Sequence, residues 1–502
     1  MNPRLALLCL LSALTALRWS WNLGLPLSPG NAYLAICGTI PSVAYFDGPG
    51  GTALSVALGV SMFGANALGA AFFWPIYAMV ATLALYSLVL PMAGPRSAAS
   101  LAVLLNILPV FNHATLEPDS ALPLTASALG ALACAWRGLD KNSVLWWLVA
   151  GCVLACGLFF SYGAWLPLPA IFLAMIASHR WRPRLARPGF WLACIPPLIV
   201  FSALLAWNSD HGWVHFIGNT MATALLIDWS RFPVVLAAAA GSVGPLGVVA
   251  LALAVWFALR EVTVSPKIKF LVLPALCSLM AWLYSGLRGL PGQTTGLLAT
   301  VMILPLLVCI PSRLGRLPTR VLMTAVLIAS AFWTVGTLAR SPREQGFIDS
   351  EVVKRLEEIT SSFASDKSHP LFLIAEDAPI ASAFAVNLSG QTFTHQSGHP
   401  PVYSLESAFA ESQYALWPRY DQFVEATQAA AATFTADPFT EQEGANPFVG
   451  RSALYITCQK PDDLPQAITA AFAGWHLAAE ISAANGQILR IYLCSDYQTM
   501  PL

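Results

Sequence analysis

Charged side chains are what this sequence has least of. Lys, Arg, Asp and Glu make up 10% of its 502 residues, against 57% apolar residues and a mean hydropathy of +0.64. A soluble domain carries roughly 25% charged residues, so an ordinary soluble protein is excluded. Net charge is zero and no basic patch is present, which argues against nucleic acid as a partner. The sequence holds no Walker loop, dinucleotide fingerprint, nucleophile elbow or His-Glu-x-x-His helix, so no covalent mechanism is suggested. The inner spans lack the buried charges of an ion path, and they show no visible repeat. Both absences count against a transporter.

The apolar residues gather into eleven predicted spans: Leu5 to Trp21, Ala70 to Leu90, Ala98 to Phe111, Ala121 to Trp136, Val144 to Phe160, Trp165 to Ala177, Phe190 to Trp207, Phe232 to Leu259, Phe270 to Leu287, Leu297 to Ile310 and Val321 to Leu338. Several fall short of the roughly 20 residues a bilayer core requires. The first has Arg18 and Trp19 to Trp21 where a signal peptide needs small residues, so it reads as an uncleaved helix.

The few charges sort by sign between the spans. Arg96, Arg137, Lys141, the cluster Arg180, Arg182, Arg184 and Arg187, then Arg260, Lys267 and Lys269, then Arg313, Arg316 and Arg320 occupy alternate loops. The intervening loops hold Asp47, Glu117, Asp119, Asp210 and Asp228, against Arg231 and Arg288 alone. By the positive-inside rule the basic loops and the N-terminus are cytoplasmic. The carboxylates then share one outer face, and so does everything after the last span.

The expected fold is therefore mainly α, in two parts. Residues 1–340 form a polytopic transmembrane helical bundle with a first outer loop over 22–68, and residues 341–502 form an extracytoplasmic α/β domain. In that domain Leu371 to Ala375, Ala453 to Thr457 and Ile488 to Cys494 read as strands, and Glu351 to Phe363 and Leu464 to Phe472 have helical spacing. Of ten cysteines, eight lie within or beside apolar spans and read as small buried hydrophobes. Cys458 and Cys494 each end a predicted external strand, where disulfides persist, so a Cys458–Cys494 disulfide is expected.

Three outer segments carry the candidate chemistry. In the first, Tyr45-Phe46-Asp47-Gly48-Pro49-Gly50 precedes an apolar stretch, Thr52 to Phe63, too short to span and therefore placed along the interface. Asp47 either satisfies this Gly/Pro turn or stands just above the hydrocarbon as a reactive carboxylate. In the second, His113 to Ser120 packs an imidazole beside Glu117 and Asp119. Such a carboxylate pair can divide acid and base roles, while Asp119 or Ser120 also suits a helix N-cap. The third runs from Trp207 to His215. His211 and His215, like His395 and His399, have metal-compatible spacing but no evident third ligand, so no metal site is expected there. A divalent cation remains an option at Asp47, Glu117 and Asp119 if the fold brings them together.

The order of these pieces resembles the C-type glycosyltransferases, specifically the bacterial members of glycosyltransferase family 39 allied to protein O-mannosyltransferases and lipid A aminoarabinose transferases. The matching residues are Tyr45-Phe46-Asp47 with Pro49, Phe63-Gly64, Glu117-Pro118-Asp119, Trp207-Asn208 with His211-Gly212-Trp213 and Phe216, and Ser412-Gln413-Tyr414 with Leu416 and Trp417. The resemblance implies transfer of a sugar from a polyprenyl-phosphate donor to a lipid, glycan or protein acceptor, at the outer face of a bacterial cytoplasmic membrane. Among this chain's own residues, Asp47, Asp119 and Glu117 are the candidate catalytic carboxylates, and Tyr45, His113, Tyr162, Asn208, His211 and Arg288 the candidate substrate-binding residues.

The departures fall on the proposed catalytic face. The family's Asp-Glu-Ala-Tyr appears as Gly30-Asn31-Ala32-Tyr33, its Ser-Lys-Tyr as Phe160-Ser161-Tyr162, and its Pro-Asn-Trp as Pro291-Gly292-Gln293. Glycine cannot take a proton, and serine cannot neutralise a phosphate. Two accounts therefore compete: an enzyme whose base has moved to Asp47 or Asp119, with Arg288 supplying positive charge, and a degenerate relative that binds a lipid-linked sugar or a partner protein without turnover. A lipid or sugar transporter is a third.

Overall fold

The structure is a computed structural model. It describes the chain except residues 1–2, 217–226, 263–264, 290–292, 311–314, 341–347, 349, 364–370, 389–398, 406–409, 422–445, 447, 460–463, 484–485 and 499–502. The N-terminal helices are α1 (Pro3–Trp21), α2 (Pro29–Thr39), α3 (Gly51–Phe63), α4 (Ala67–Ala71), α5 (Trp74–Ile107), α6 (Pro109–His113), α7 (Ala121–Lys141), α8 (Val144–Leu158), α9 (Pro167–Ala177) and α10 (Pro188–Asp210). There follow α11 (Phe232–Val243), α12 (Pro245–Glu261), α13 (Pro266–Leu287), α14 (Gln293–Ile303) and α15 (Arg316–Arg340).

Among the described residues, four helical segments are long and apolar enough to cross a membrane: Ala67–Ile107, Pro188–Asp210, Pro266–Leu287 and Leu317–Thr337. Shorter apolar helices stand over most of the other predicted spans. Two predicted spans, Ala70 to Leu90 and Ala98 to Phe111, fall largely within α5, which breaks at Gly94 with φ 83°. Pro95 lacks an N–H to continue the ladder, and glycine takes the positive φ without a Cβ clash. Asn106 Nδ2 donates to Thr82 Oγ1 at 3.0 Å, and these residues are equidistant from Gly94 along the chain. The two limbs therefore lie side by side, as an antiparallel hairpin requires.

The predicted span Phe232 to Leu259 is not one straight helix. It divides into α11 and α12, bent by 103°. The break is at Gly244, φ 78°, followed by Pro245 at the start of α12. A glycine in the left-handed region before a proline ends one helix and starts another.

Small residues let these helices approach closely. A Cβ on Gly151 of α8 would lie 2.3 Å from the Ala193 carbonyl of α10, so the two backbones touch where no side chain intervenes. Gly151→Val should therefore lower the melting temperature of the detergent-solubilised protein, by the equivalent of about 1–3 kcal/mol or more. An unchanged melting curve would mean that the α8–α10 contact is not close.

The C-terminal part carries α16 (Ser350–Phe363), α17 (Ala378–Asn387) and a five-stranded sheet. Strands β1 (Ala44–Tyr45) and β2 (Gly48–Pro49) make a small hairpin in the first loop. The sheet contains β3 (Phe372–Ala375), β4 (Tyr403–Ser404), β5 (Ala453–Thr457), β6 (Phe472–Ser482) and β7 (Ile488–Tyr497), in the order β4-β3-β5-β7-β6. β4, β3 and β5 are parallel, and β7 runs antiparallel to both β5 and β6. Alternate residues of β3 face two cores. Phe372 and Ile374 meet Tyr403, Tyr420 and Phe448, whereas Leu373 and Ala375 join Leu356, Ile380 and Phe384. The expected helix from Leu464 to Phe472 is only a short turn of helix, Gln466–Thr469, and Phe472 opens β6.

The Cys458–Cys494 disulfide is not formed, and both thiols are free. Each cysteine does lie at or near the C-terminal end of its strand, but β5 and β7 are antiparallel. Cys494 pairs across from Ala453, while Cys458 follows Thr457, which pairs with Arg490. Roughly 17 Å of strand, at about 3.4 Å per residue, separates them, far beyond the roughly 7 Å between Cα atoms that a disulfide tolerates.

Candidate active site

The carboxylates of the acidic loops occupy different surroundings. Asp119 ends the loop before α7. Its Oδ1 accepts from the Ala121 N–H at 3.0 Å, and its carbonyl accepts from Trp74 Nε1 at 3.0 Å. The side chain thus starts α7 while α5 pins the backbone. Burial pushes the Asp119 carboxyl up to about 6, partly opposed by the Ala121 and Leu122 amides, with a small further rise from Glu117. Glu117 itself is exposed.

Asp119 lines a cavity of about 630 Å³ between α6, α11, α13 and α14. His113 from α6 and Arg231, just before α11, share its wall, and the remainder is largely apolar: Val110, Val234, Val235, Ala238 and Leu297. A second cavity of about 430 Å³, between α11, α12, α13 and α14, adjoins it through Val235, Ser242, Trp282 and Gly296 and is lined almost wholly by apolar side chains. A headgroup-sized space with one carboxylate, one imidazole and one guanidinium therefore lies next to an oily groove.

Asp47 lies elsewhere, in the seam between the first loop and the sheet-bearing part. It accepts from the Tyr33 hydroxyl at 2.5 Å, and that hydroxyl accepts from the Gln413 N–H at 2.9 Å. The Gln413 side chain closes the circuit by accepting from the Phe46 N–H at 2.7 Å. Tyr414 stacks on Tyr33 and shares a 2.9 Å hydrogen bond with Ser382 of α17, which packs on α2. Asp47 reaches solvent on one side, yet its carboxylate sits in a crowded recess. Desolvation raises its pKa, while the Tyr33 hydroxyl and nearby His215 pull it down.

His215 is the hub of the third loop. Its Nε2 lies 2.6 Å from the Tyr45 carbonyl, which can only accept, so Nε2 carries the proton. Nδ1 then accepts from the Tyr162 hydroxyl at 2.7 Å and from Asn208 Nδ2 at 3.1 Å. Asn208, fully buried, also accepts from the His215 N–H. Burial lowers the His215 pKa, against the Tyr45 carbonyl and Asp47, which favour the charged form.

Of the predicted site residues, the fold brings His113 and Asp119 to the cavity, and Tyr162 and Asn208 to the His215 hub beside Asp47. Tyr45 is buried, its hydroxyl donating to the Ile40 carbonyl of its own loop. His211 stacks on Trp207, with ring centroids 4.1 Å apart, and its Nδ1 meets the Trp207 carbonyl. Arg288 turns along α13, donating to the Tyr284 hydroxyl at 3.1 Å. The guanidinium at the cavity is Arg231, held by Asp228 at 3.3 Å. Arg231 and Arg288 are equivalent in the sequence as outer arginines, and only the α11 entry separates them. In the sequence His215 is marked only by its spacing from His211, which points to no metal site and gives no sign of a hydrogen-bonded hub.

Two substituted motif positions have local occupations. Gly30 falls in the first turn of α2, where Ser28 caps the helix by accepting from the Asn31 N–H. Ser161 caps the turn Tyr162–Trp165 by accepting from the Gly163 N–H. Among the described residues no group of three His, Cys, Asp or Glu is placed to hold a metal ion. His395 and Pro291 to Gly292 lie outside the described residues.

Residues 47–207 match the family described as dolichyl-phosphate-mannose-protein mannosyltransferase. No curated protein matches the chain. Among solved structures, ArnT from Cupriavidus metallidurans bound to undecaprenyl phosphate superposes with a TM-score of 0.61 at 13% identity, covering 99% of each chain. The apo form of the same ArnT gives 0.59 at 12% identity, covering 97% of each. Archaeal oligosaccharyltransferase AglB from Archaeoglobus fulgidus is a more distant match, with a TM-score of 0.49 at 11% identity over 99% of this chain and 75% of its own. This chain carries the C-type glycosyltransferase fold over nearly its whole length, with the mannosyltransferase-type match confined to residues 47–207.

Proposed function

We propose that the chain is a membrane glycosyltransferase that moves a sugar from a polyprenyl-phosphate carrier to a hydroxyl acceptor at the outer face of a bacterial cytoplasmic membrane. The observation that carries this reading is the paired cavity. Arg231 and His113 suit a phosphate headgroup, the adjoining groove suits a prenyl chain, and Asp119 lines the same cavity as Arg231 and His113. A headgroup of this kind bound in the similar ArnT fold supports the reading.

In the proposed reaction the Asp119 carboxylate takes the acceptor hydroxyl proton. The freed oxygen bonds to the anomeric carbon, and the bond from that carbon to phosphate oxygen breaks. The electron pair leaves with the polyprenyl phosphate, whose charge Arg231 stabilises. The raised pKa of Asp119 makes it a better proton acceptor than an exposed carboxylate. In this reading the basic loops and the N-terminus face the cytoplasm and residues 341–502 lie outside, with Gln413 and Tyr414 at the seam beside Asp47.

A second reading is favoured by Gly30 and Ser161: the fold binds the lipid-linked sugar without turning it over. Nanodisc-embedded protein incubated with a panel of polyprenyl-phosphate sugars separates the two, with released polyprenyl phosphate followed by mass spectrometry. Release that Arg231→Gln reduces at least tenfold is expected, the scale of losing a charge-assisted hydrogen bond. Donor binding without release would establish the second reading, and absence of both would remove the donor assignment.

A further inference from the structure

Arg18 is the one ionisable side chain of α1 among the described residues that is both charged and buried, at 6% exposure. It lies in the last turn of the helix, where the carbonyl ends favour a cation. Its Nη2 donates to Asn106 Oδ1 at 3.1 Å and to Asn112 Oδ1 at 3.0 Å, and its guanidinium sits 5.6 Å from the centre of the Phe111 ring. All three partners are neutral. Among the described residues the ion pairs lie elsewhere, at Arg231, Arg355, Arg419 and Arg490.

A membrane helix that merely needed Asn106 and Asn112 tied together would achieve it with a neutral amide, without the cost of a buried charge. Desolvating a guanidinium is expensive unless an anion or a strong set of acceptors answers it. The asparagines are themselves locked. Asn106 Nδ2 donates to Thr82 Oγ1 and the Ala102 carbonyl, and Asn112 Nδ2 donates to the Asn106 and Leu108 carbonyls. Their oxygens are thereby aimed at Arg18, and the charge is held in place without being neutralised.

What lies behind those partners gives the charge a use. Phe111 and Asn112 belong to α6, whose Pro109, Val110 and His113 line the headgroup cavity. Arg18 thus packs on α6, other residues of which line the cavity together with Arg231. In this low-dielectric setting a cation packed on a lining helix still acts on an anion. We propose that Arg18 is a specificity-determining residue: its unneutralised charge makes the cavity select an anionic lipid headgroup over a neutral lipid of the same tail. This rests on the donor reading above.

The test compares binding of undecaprenyl phosphate and of undecaprenol to the full-length protein in nanodiscs of neutral lipid. Wild type is expected to prefer the phosphate. Arg18→Met should reduce that preference about tenfold or more, through a change in phosphate binding, with undecaprenol binding held. Asn112→Asp is the second variant, because it leaves α1 intact and gives Arg18 a carboxylate in situ, so it should erode the preference in the same way. Arg18→Lys should retain most of it. If the Met and Asp variants weaken both lipids equally, or neither, Arg18 is structural and the inference is overturned. If wild type itself shows no preference for the phosphate, the donor reading fails first.

Discussion

Asp119→Asn should abolish sugar transfer, by about 10²–10⁴-fold as expected for loss of a general base, while leaving a protein that is more stable at neutral pH than wild type. The amide oxygen of Asn can still accept from the Ala121 N–H, so the start of α7 survives. What disappears is the site for the acceptor proton. Asp47→Asn is the control. Its amide oxygen can still accept from Tyr33, and transfer should fall less than about tenfold, on the scale of one weakened hydrogen bond. Loss of transfer in the Asp47 variant with retention in the Asp119 variant would move the base to the seam and overturn the cavity assignment.

The same residue fixes the direction of two pH dependences. Asp119 titrates at about 6 in the fold, above its ordinary value of 3.8. Transfer should therefore rise as pH increases through about 6, because the base works when ionised. Stability should move the opposite way. Between about pH 4 and 6 the folded chain holds a proton that the unfolded chain has released, so stability falls over that window and is level above it. The cost at pH 7 is about 3 kcal/mol at most, and Asp119→Asn should recover part of it. Thermal unfolding of both proteins at pH 4 and pH 7 should show the difference opening only at the higher pH. His215 adds an opposing slope: its lowered pKa means that stability is lost as pH falls below about 6.5.

Much of this layout was legible in the chain because it depends on one-dimensional signals. Apolar runs separated by sign-sorted charges fix helices and loops, and the Asp119 loop stands out because His113, Glu117 and Asp119 are close in sequence. The misreadings share one cause, which is that pairing direction and approach between distant segments leave little local trace. Cys458 and Cys494 each end a predicted strand, but only knowledge that β5 and β7 are antiparallel separates them. Phe232 to Leu259 is apolar throughout, and Gly244-Pro245 was the one mark of its bend. Arg231 and Arg288 differ in no sequence property that would assign one to a cavity wall. The seam is the extreme case. Gln413 is 380 residues from Tyr33, so motif resemblance could flag Ser412-Gln413-Tyr414 but could not say what it touches.

That seam supplies the second large effect. Tyr33→Phe removes one oxygen that serves two bonds, the donation to Asp47 and the acceptance from the Gln413 N–H. Asp47 has solvent on one side and can replace its partner with water. The Gln413 amide is buried and cannot, so its desolvation goes unanswered at a cost of about 1–3 kcal/mol. Hydrogen exchange at that amide should accelerate roughly 10- to 100-fold, while amides in β5 and β7, remote from the seam, keep their protection. Gln413→Ala breaks a different bond, the one from the Phe46 N–H, and keeps the Gln413 main-chain donor. Because both bonds hold the same two segments together, the double variant should be non-additive by about 0.5–3 kcal/mol. Strict additivity, or unchanged exchange in Tyr33→Phe, would mean that the seam is held by the packing of α17 on α2 alone. A loosened seam that also slows transfer, with donor binding intact, would place the sheet-bearing part on the acceptor side of the reaction.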